Sequence, residues 1–425
     1  MGRGALAVVA LLCLPASCDG GRSESAAVPE ITDEAVETVG GVVAATLPAP
    51  TERERVLGPF LAAHWRVPLQ PQGPAPPGFS EAEASLDPAV CGACHPAQYA
   101  QWRGSLHAGA FSPGFSGQLI EGALAEPGAL RECQACHAPL AEQQPVTAEG
   151  APNEHFDPAL RQHGVVCAAC HVRAHRRFGP PRRADAPPAP VPPAHGGFTA
   201  RPEYQQSRFC AACHQFFDDA GIEGKPIENT FREWQASPQA ARGETCQTCH
   251  MPDRAHLWRG IHDAETVRRA VPADLVLLEA PPDRVQAALV LAAQGVGHAF
   301  PTYVTPRVFL AIWQEDAAGG ELPETRREFT LGRELDFDSQ PWGEVFDTRV
   351  AAGESVKLDY REPRAVGATA LVGRVTVDPD FHYRGVFAAL EGELSDPEAR
   401  RRIAEAHRRS LASAYVLHER RVALP

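Results

Sequence analysis

Cys91-Gly-Ala-Cys94-His95, Cys133-Gln-Ala-Cys136-His137, Cys167-Ala-Ala-Cys170-His171, Cys210-Ala-Ala-Cys213-His214 and Cys246-Gln-Thr-Cys249-His250 decide how the rest of this chain is read. Ten of its twelve cysteines fall in these five pairs, and histidine follows every pair at once. Zinc ribbons use such pairs in twos to close a four-ligand site, so five would leave one open. A disulfide framework gives no reason for a histidine after each second cysteine. C-x-x-C-H is the attachment signal for c-type haem: two thiolates bind the macrocycle and the adjacent histidine is its proximal iron ligand. The sequence therefore predicts five covalently attached c-type haems, held by the ten cysteines, with His95, His137, His171, His214 and His250 on the irons.

The first cysteines are 42, 34, 43 and 36 residues apart, too irregular for a solenoid. From Cys91 to His250 there are 160 residues, or 32 for each haem. So little polypeptide cannot wall off a separate pocket for each. The expected fold class is thus multidomain, opening with an α/irregular cytochrome core in which the haems pack against one another.

Sixth ligands are constrained by what the chain lacks. It has two methionines, and Met1 belongs to the expected export signal while Met251 adjoins the proximal His250. The only lysines are Lys225 and Lys357. Histidine is what remains, and the candidates for the far side of an iron are His107, His175, His195, His256, His262 and His298. A helix is expected over 96–110, with Tyr99, Trp102, Leu106 and Ala110 on one face. His107 would then stand 12 residues beyond His95, about 18 Å along that helix, and serve a different haem. His195 sits in the loop Pro192-Pro193-Ala194-His195-Gly196-Gly197. Of His256 and His262, the second has Asp263 beside it to orient the ring. His298 lies in Gly295-Val296-Gly297-His298-Ala299-Phe300-Pro301-Thr302, where flanking glycines allow close approach of a flat group. His155 and His163 read as neighbours of haem propionates, and His407 and His418 as packing positions.

Cys91-x-x-Cys94-His95 with Gln98, Trp102, Ser105, His107 and Ala108 resembles the opening of the multihaem cytochromes c related to the tetrahaem electron carrier of ammonia oxidation. Gly164-Val165-Val166 before Cys167, with His175 after His171, resembles their later haem site; where that family carries Gly-Pro-Gly this chain has Val172-Arg173-Ala174. The resemblance spans roughly residues 88–215. It implies electron transfer and histidines such as His107 and His175 opposite a proximal ligand. The segment around His298 is similar to a Gly-His-x-x-Pro-Thr element in β-domains appended to multihaem cytochromes, which implies a histidine facing a haem.

Outward from the motifs, Arg3 and the apolar run Ala5–Leu14 read as an export signal over 1–18. Pro15-Ala16-Ser17-Cys18 resembles a lipoprotein box with Cys18 as the lipidated residue. Residues 19–84 read as tether and linker, 85–271 as the pentahaem domain, 272–395 as a β-sandwich and 396–425 as a C-terminal helix. Strands are expected over 285–293, 306–314, 327–335, 344–350, 355–360 and 370–377. The formal charge of -13 argues against nucleic acid and anionic membrane surfaces as partners. Redox proteins are the expected partners, with self-association into a haem chain as a further class, and membrane contact only through a lipid on Cys18.

There is no phosphate loop, nucleophile elbow or zinc-helix pattern. The leading reading is an exported, periplasmic or surface-tethered electron carrier. The first alternative is a reductase or oxidase of a small nitrogen or sulfur compound at one five-coordinate haem. The pentahaem nitrite reductases carry a catalytic motif ending in lysine, which this chain lacks. The second alternative is an assembly subunit that docks through its β-domain.

Overall fold

The computed structural model describes residues 50–125, 131–147, 149–186, 188, 191–217, 221–336 and 342–425. The export signal, Cys18 and the tether to residue 49 lie outside them. Residues 52–64, read above as linker, form a helix started by a Thr51/Glu54 capping box and kinked at Gly58-Pro59. Four-residue spacing puts Leu57 and Leu61 on one side, and with Trp65 they pack on Ala211 and Phe231 beside the fourth motif.

Each attachment motif lies on a short helical turn: Pro88–Cys94, Arg131–His137, Ser207–Ala212 running into Cys213, Cys167–His171 and Cys246–His250. One turn brings residues i and i+3 to the same face, so the two cysteines of a pair project together. Asp87 and Thr245 cap the first and last of these turns with their side chains. The helix expected over 96–110 is shorter. It spans Pro96–Arg103 and stops at Gly104, after which the Ser105 hydroxyl bonds the Trp102 carbonyl and turns the chain. His107 thus stands on a turn rather than on a continuous helix.

From residue 273 the chain is mainly β. The strands are β1 (Ala273–Glu279), β2 (Arg284–Ala292), β3 (Arg307–Glu315), β4 (Arg327–Leu331), β5 (Arg333–Asp336), β6 (Gly343–Asp347), β7 (Ser355–Pro363), β8 (Ala370–Asp378) and β9 (Tyr415–Ala423). Antiparallel pairing gives a three-stranded sheet β7-β2-β1, a four-stranded sheet β9-β8-β3-β4 and a hairpin β5-β6. Alternate residues of both larger sheets, among them Val285, Ala287, Leu289 and Leu291 opposite Leu310, Ile312, Val375 and Val377, enter one hydrophobic core. Gly373 lies where a Cβ would come within 3.1 Å of Leu275, which sets how closely the sheets meet.

The expected C-terminal helix over 396–425 is corrected. A helix runs only from Pro397 to Leu411, and Tyr415–Ala423 is a strand with Leu417 in the sheet core. A second helix, Phe381–Glu391, falls inside the span read as all β. These two helices pack on Pro113–Ala125 of the first region, where Gly114 lies against Phe387 and Gly117 against Ile403. Arg402 donates to Ser116 Oγ (2.7 Å) across the same contact. The β region is thereby clamped beside the second motif.

Candidate haem-binding cavity

The motifs share one wall. A cavity of about 4180 Å³ is lined by all ten motif cysteines and all five motif histidines. Ordinary small-molecule sites run to roughly 300–1,000 Å³, so this space suits several large groups rather than one. Nine of the cysteines (91, 94, 136, 167, 170, 210, 213, 246 and 249) carry free thiols. Neighbouring motifs meet through them: Cys91 lies beside Cys167, Cys136 beside Cys213, and Cys210 beside Cys246.

Three of the five motif histidines are held in the tautomer a metal requires. Nδ1 of His137 bonds the Ala110 carbonyl (2.8 Å), that of His171 the Phe178 carbonyl (2.8 Å) and that of His250 the Arg259 carbonyl (2.7 Å). A carbonyl accepts only from a protonated Nδ1, which leaves Nε2 unprotonated and able to bind a metal. Burial pushes all three imidazoles below the ordinary histidine range, so they are neutral near pH 7.

Three of the candidate distal residues meet proximal ones. The ring centres of His107 and His214 are 6.3 Å apart, those of His171 and His256 6.2 Å, and those of His250 and His298 6.3 Å. Two imidazoles on opposite sides of one metal, with bonds of about 2 Å and ~1.1 Å more to each ring centre, would be separated by ~6.2 Å. His256 and His298 also have Nδ1 on a carbonyl, of Arg254 (3.0 Å) and Ala299 (2.9 Å). Burial, then the nearby His214, lowers His107 to about 3; burial, then His171, lowers His256 to about 4. Apart from Cys133, which is disulfide-bonded in this structure, the residues present therefore fit c-type haem in the size of the cavity, the free thiols and the ligand atoms.

His107 owes its place to the residues that carry the family resemblance. Trp102 Nε1 donates to the Val165 carbonyl (2.8 Å), and the Val165 N–H returns a bond to the His107 carbonyl (2.9 Å). Gly164, at φ +59°, lies so close that a Cβ would stand 2.7 Å from the His107 carbonyl oxygen. Only glycine adopts that conformation at that distance without strain.

The remaining candidates are placed differently. His195 lines the cavity, with Nδ1 on the Gly197 carbonyl (3.0 Å) and its N–H on Glu83 (2.7 Å). His262 lines it too, but its Nε2 is 3.1 Å from Asp380. The neighbouring Asp263, expected to orient that ring, instead caps the helix Ala264–Ala270 through Thr266. His175 is buried with Nε2 on the Gly73 carbonyl (2.9 Å) and Phe79 beside it, and it is not among the cavity-lining residues. His155 is on the cavity wall; His163 is exposed next to Trp102.

Sequence reasoning missed Trp258 and Tyr204. Trp258 stands edge-on between His107 (4.6 Å) and His256 (5.2 Å), and Tyr204 stacks on His171 at 5.4 Å. Trp258 is two residues past His256, a proximity that was legible; Tyr204, 33 positions from its histidine, carried no signal.

Comparison with known proteins agrees with this geometry. The family model described as cytochrome c554 and c-prime matches residues 90–172. The fold is similar to the crystal structure of a penta-heme cytochrome c552 from Thermochromatium tepidum. Its TM-score is 0.58 at 20% identity, over 81% of this chain and 100% of that one. No curated protein matches. Residues 90–172 thus share a cytochrome pattern, the chain carries five c-type haem attachment motifs, and its fold is similar to that of a multihaem cytochrome.

Proposed function

We propose that this chain is an exported cytochrome that passes single electrons through five closely spaced haems with histidine on both sides of the iron. The observation that carries the reading is the set of three imidazole pairs at 6.2–6.3 Å. An iron between two imidazoles has no position for a substrate, so it exchanges electrons and nothing else. The redox chemistry is the haem's; the protein supplies attachment, ligation and burial. Contacts between motifs support a path from the first to the third, where Cys91 meets Cys167. It continues to the fourth through Cys170 and Cys213, and from there to both the second and the fifth. His195 would serve the first haem: Glu83 holds its N–H, and Arg177 links Glu83 to Cys91. Export rests on residues 1–18, with a lipid on Cys18 as tether. No helix among the described residues is long and apolar enough to cross a membrane.

A reductase or oxidase reading has one observation in its favour. Among the described residues, no second imidazole stands at that spacing from His95 or His137. Low-temperature electron paramagnetic resonance of the oxidised protein separates the two. The carrier requires low-spin ferric signals throughout, whereas an axial high-spin signal from about one fifth of the iron would mark an open haem and favour the enzyme. Mass spectrometry of the same sample should show five covalent haems, and a diacylglycerol on Cys18 if the tether is lipid.

A further inference from the structure

The seam between the two regions holds groups that ligation does not use. Glu228 lines the cavity, and its carboxylate accepts a hydrogen bond from the Thr230 hydroxyl. Thr230 Oγ1 is 2.6 Å from Thr302 Oγ1, so a carboxyl and two hydroxyls form an unbroken chain from the first region into the β region. All three line the cavity, as do Tyr303 and Tyr383. Tyr303 is held at φ +68°, a conformation bulky side chains rarely adopt, so its loop is fixed by its surroundings. The groups facing Glu228 are Glu233, His298, Tyr303, Tyr383 and Cys136 of the second motif. Arg349 is committed to Glu233 (3.0 Å), and Arg53 faces Cys136. The donors to the Glu228 carboxylate are thus the hydroxyl and the backbone N–H of Thr230, both neutral, and the neighbouring Glu233 carboxylate repels it.

We propose that Glu228 is a redox-linked proton acceptor. It binds one proton when a haem beside it, at the second motif or between His250 and His298, gains one electron, and it releases that proton on oxidation. The balance is one electron from an external one-electron donor to ferric iron and one proton from solvent to the carboxylate, with the Thr302 and Thr230 hydroxyls as its path. The interior then gains no net charge, which a low-dielectric site strongly favours. Burial first, then Glu233, pushes the Glu228 carboxyl up to about 7, so it is poised to respond near neutral pH. This inference rests on the electron-transfer reading above.

The test is a spectropotentiometric titration of the holoprotein on either side of neutral pH, with infrared redox-difference spectra of the same sample. A tenfold drop in proton activity should lower one haem midpoint by up to about 59 mV, the one-electron equivalent of tenfold. The spectra should show a protonated-carboxyl band appearing on reduction. Glu228→Gln should flatten that slope and remove that band, while Glu228→Asp should keep the slope in a shifted pH window. An unchanged slope in Glu228→Gln, with five haems attached and the low-spin count intact, overturns the proposal. If Glu228→Gln does not assemble, the absence of a carboxyl band in the native protein overturns it instead. Haem count and spin state, read on the same material, report separately on the electron-transfer reading.

Discussion

Replacing His298 with alanine tests the ligand assignment where the geometry is most explicit. Its ring lies 6.3 Å from that of His250 with an interplanar angle of 11°, and its Nδ1 is fixed by the Ala299 carbonyl. On the proposed assignment His298→Ala would remove one of two axial ligands from one of five haems, so about one fifth of the iron should pass from low to high spin. All five haems should stay attached, because the thioethers are untouched. The β region should also stay docked. Its seam keeps the Arg349–Glu233 ion pair (3.0 Å), the Arg333 bond to the Pro226 carbonyl (2.6 Å) and the Gln239 bond to the Gln294 carbonyl (2.9 Å). Loss of a buried side chain from such a seam costs about 1–3 kcal/mol, a few degrees of thermal midpoint rather than release of a domain. Spin quantitation by electron paramagnetic resonance, alongside the haem mass, decides it. A fully low-spin spectrum in the variant refutes ligation by His298.

Two further outcomes follow from single residues. Gly164→Ala should lower stability by about 2–3 kcal/mol and loosen His107, read as a lower thermal midpoint with a partial high-spin signal. The cost is that of a left-handed alanine plus the shift forced by the 2.7 Å approach. His64 is buried with Nε2 on the Cys170 carbonyl (2.9 Å), and burial, then Arg173, lowers it to about 3. Its folded value lies below its unfolded one, so its stabilising share is complete above pH 6.5 and is lost as pH falls toward 3, by about 1.4 kcal/mol per unit. His64→Phe should therefore reduce the acid slope of unfolding by one proton; an equal slope in both proteins would contradict the assignment.

What could be read from sequence divides along a physical line. Attachment is local chemistry, so the five motifs were legible residue by residue. The strands between residues 284 and 378 were legible because alternation at period two is local as well, whereas Ala273–Glu279 was not read as a strand. Ligand pairing is not local: His107 meets His214 and His250 meets His298 only after the chain has folded. The helix at 52–64 was obscured by Gly58-Pro59 at its middle, which breaks the helical period. The last strand was hidden by the stripe Ile403, Leu411 and Tyr415, which continues helical spacing across the break at Ala412. What the stripe could not reveal is that Leu417 is buried in a sheet while its neighbours Val416 and His418 point elsewhere.

The two regions should also differ in what keeps them folded. Among the described residues, the β region has one continuous core of twenty-two buried residues, most of them from the two sheets, and is expected to hold without haem. Around the motifs the buried apolar residues fall into separate clusters, such as Leu57, Leu61, Trp65, Ala211 and Phe231, or Phe111, Phe115, Leu119, Cys133 and Ala138. The motif helices are five to seven residues long, well under the ~12–15 at which an isolated helix becomes even marginal in water. Between the clusters runs the cavity, and haem would be the apolar mass that joins them. Chain produced without haem attachment should then keep a cooperatively unfolding β region while the motif region opens to protease. The helix Ala264–Ala270 packs on the β core through Val267 and Val271, so although the side chains of Arg268 and Arg269 are exposed, the folded helix keeps their backbone from entering a protease site. Trypsin should stop at Arg259, leaving a fragment that begins at Gly260. An unattached chain that resists trypsin between Cys91 and His250 would show that polypeptide contacts alone hold that region, and that the haems are guests rather than its core.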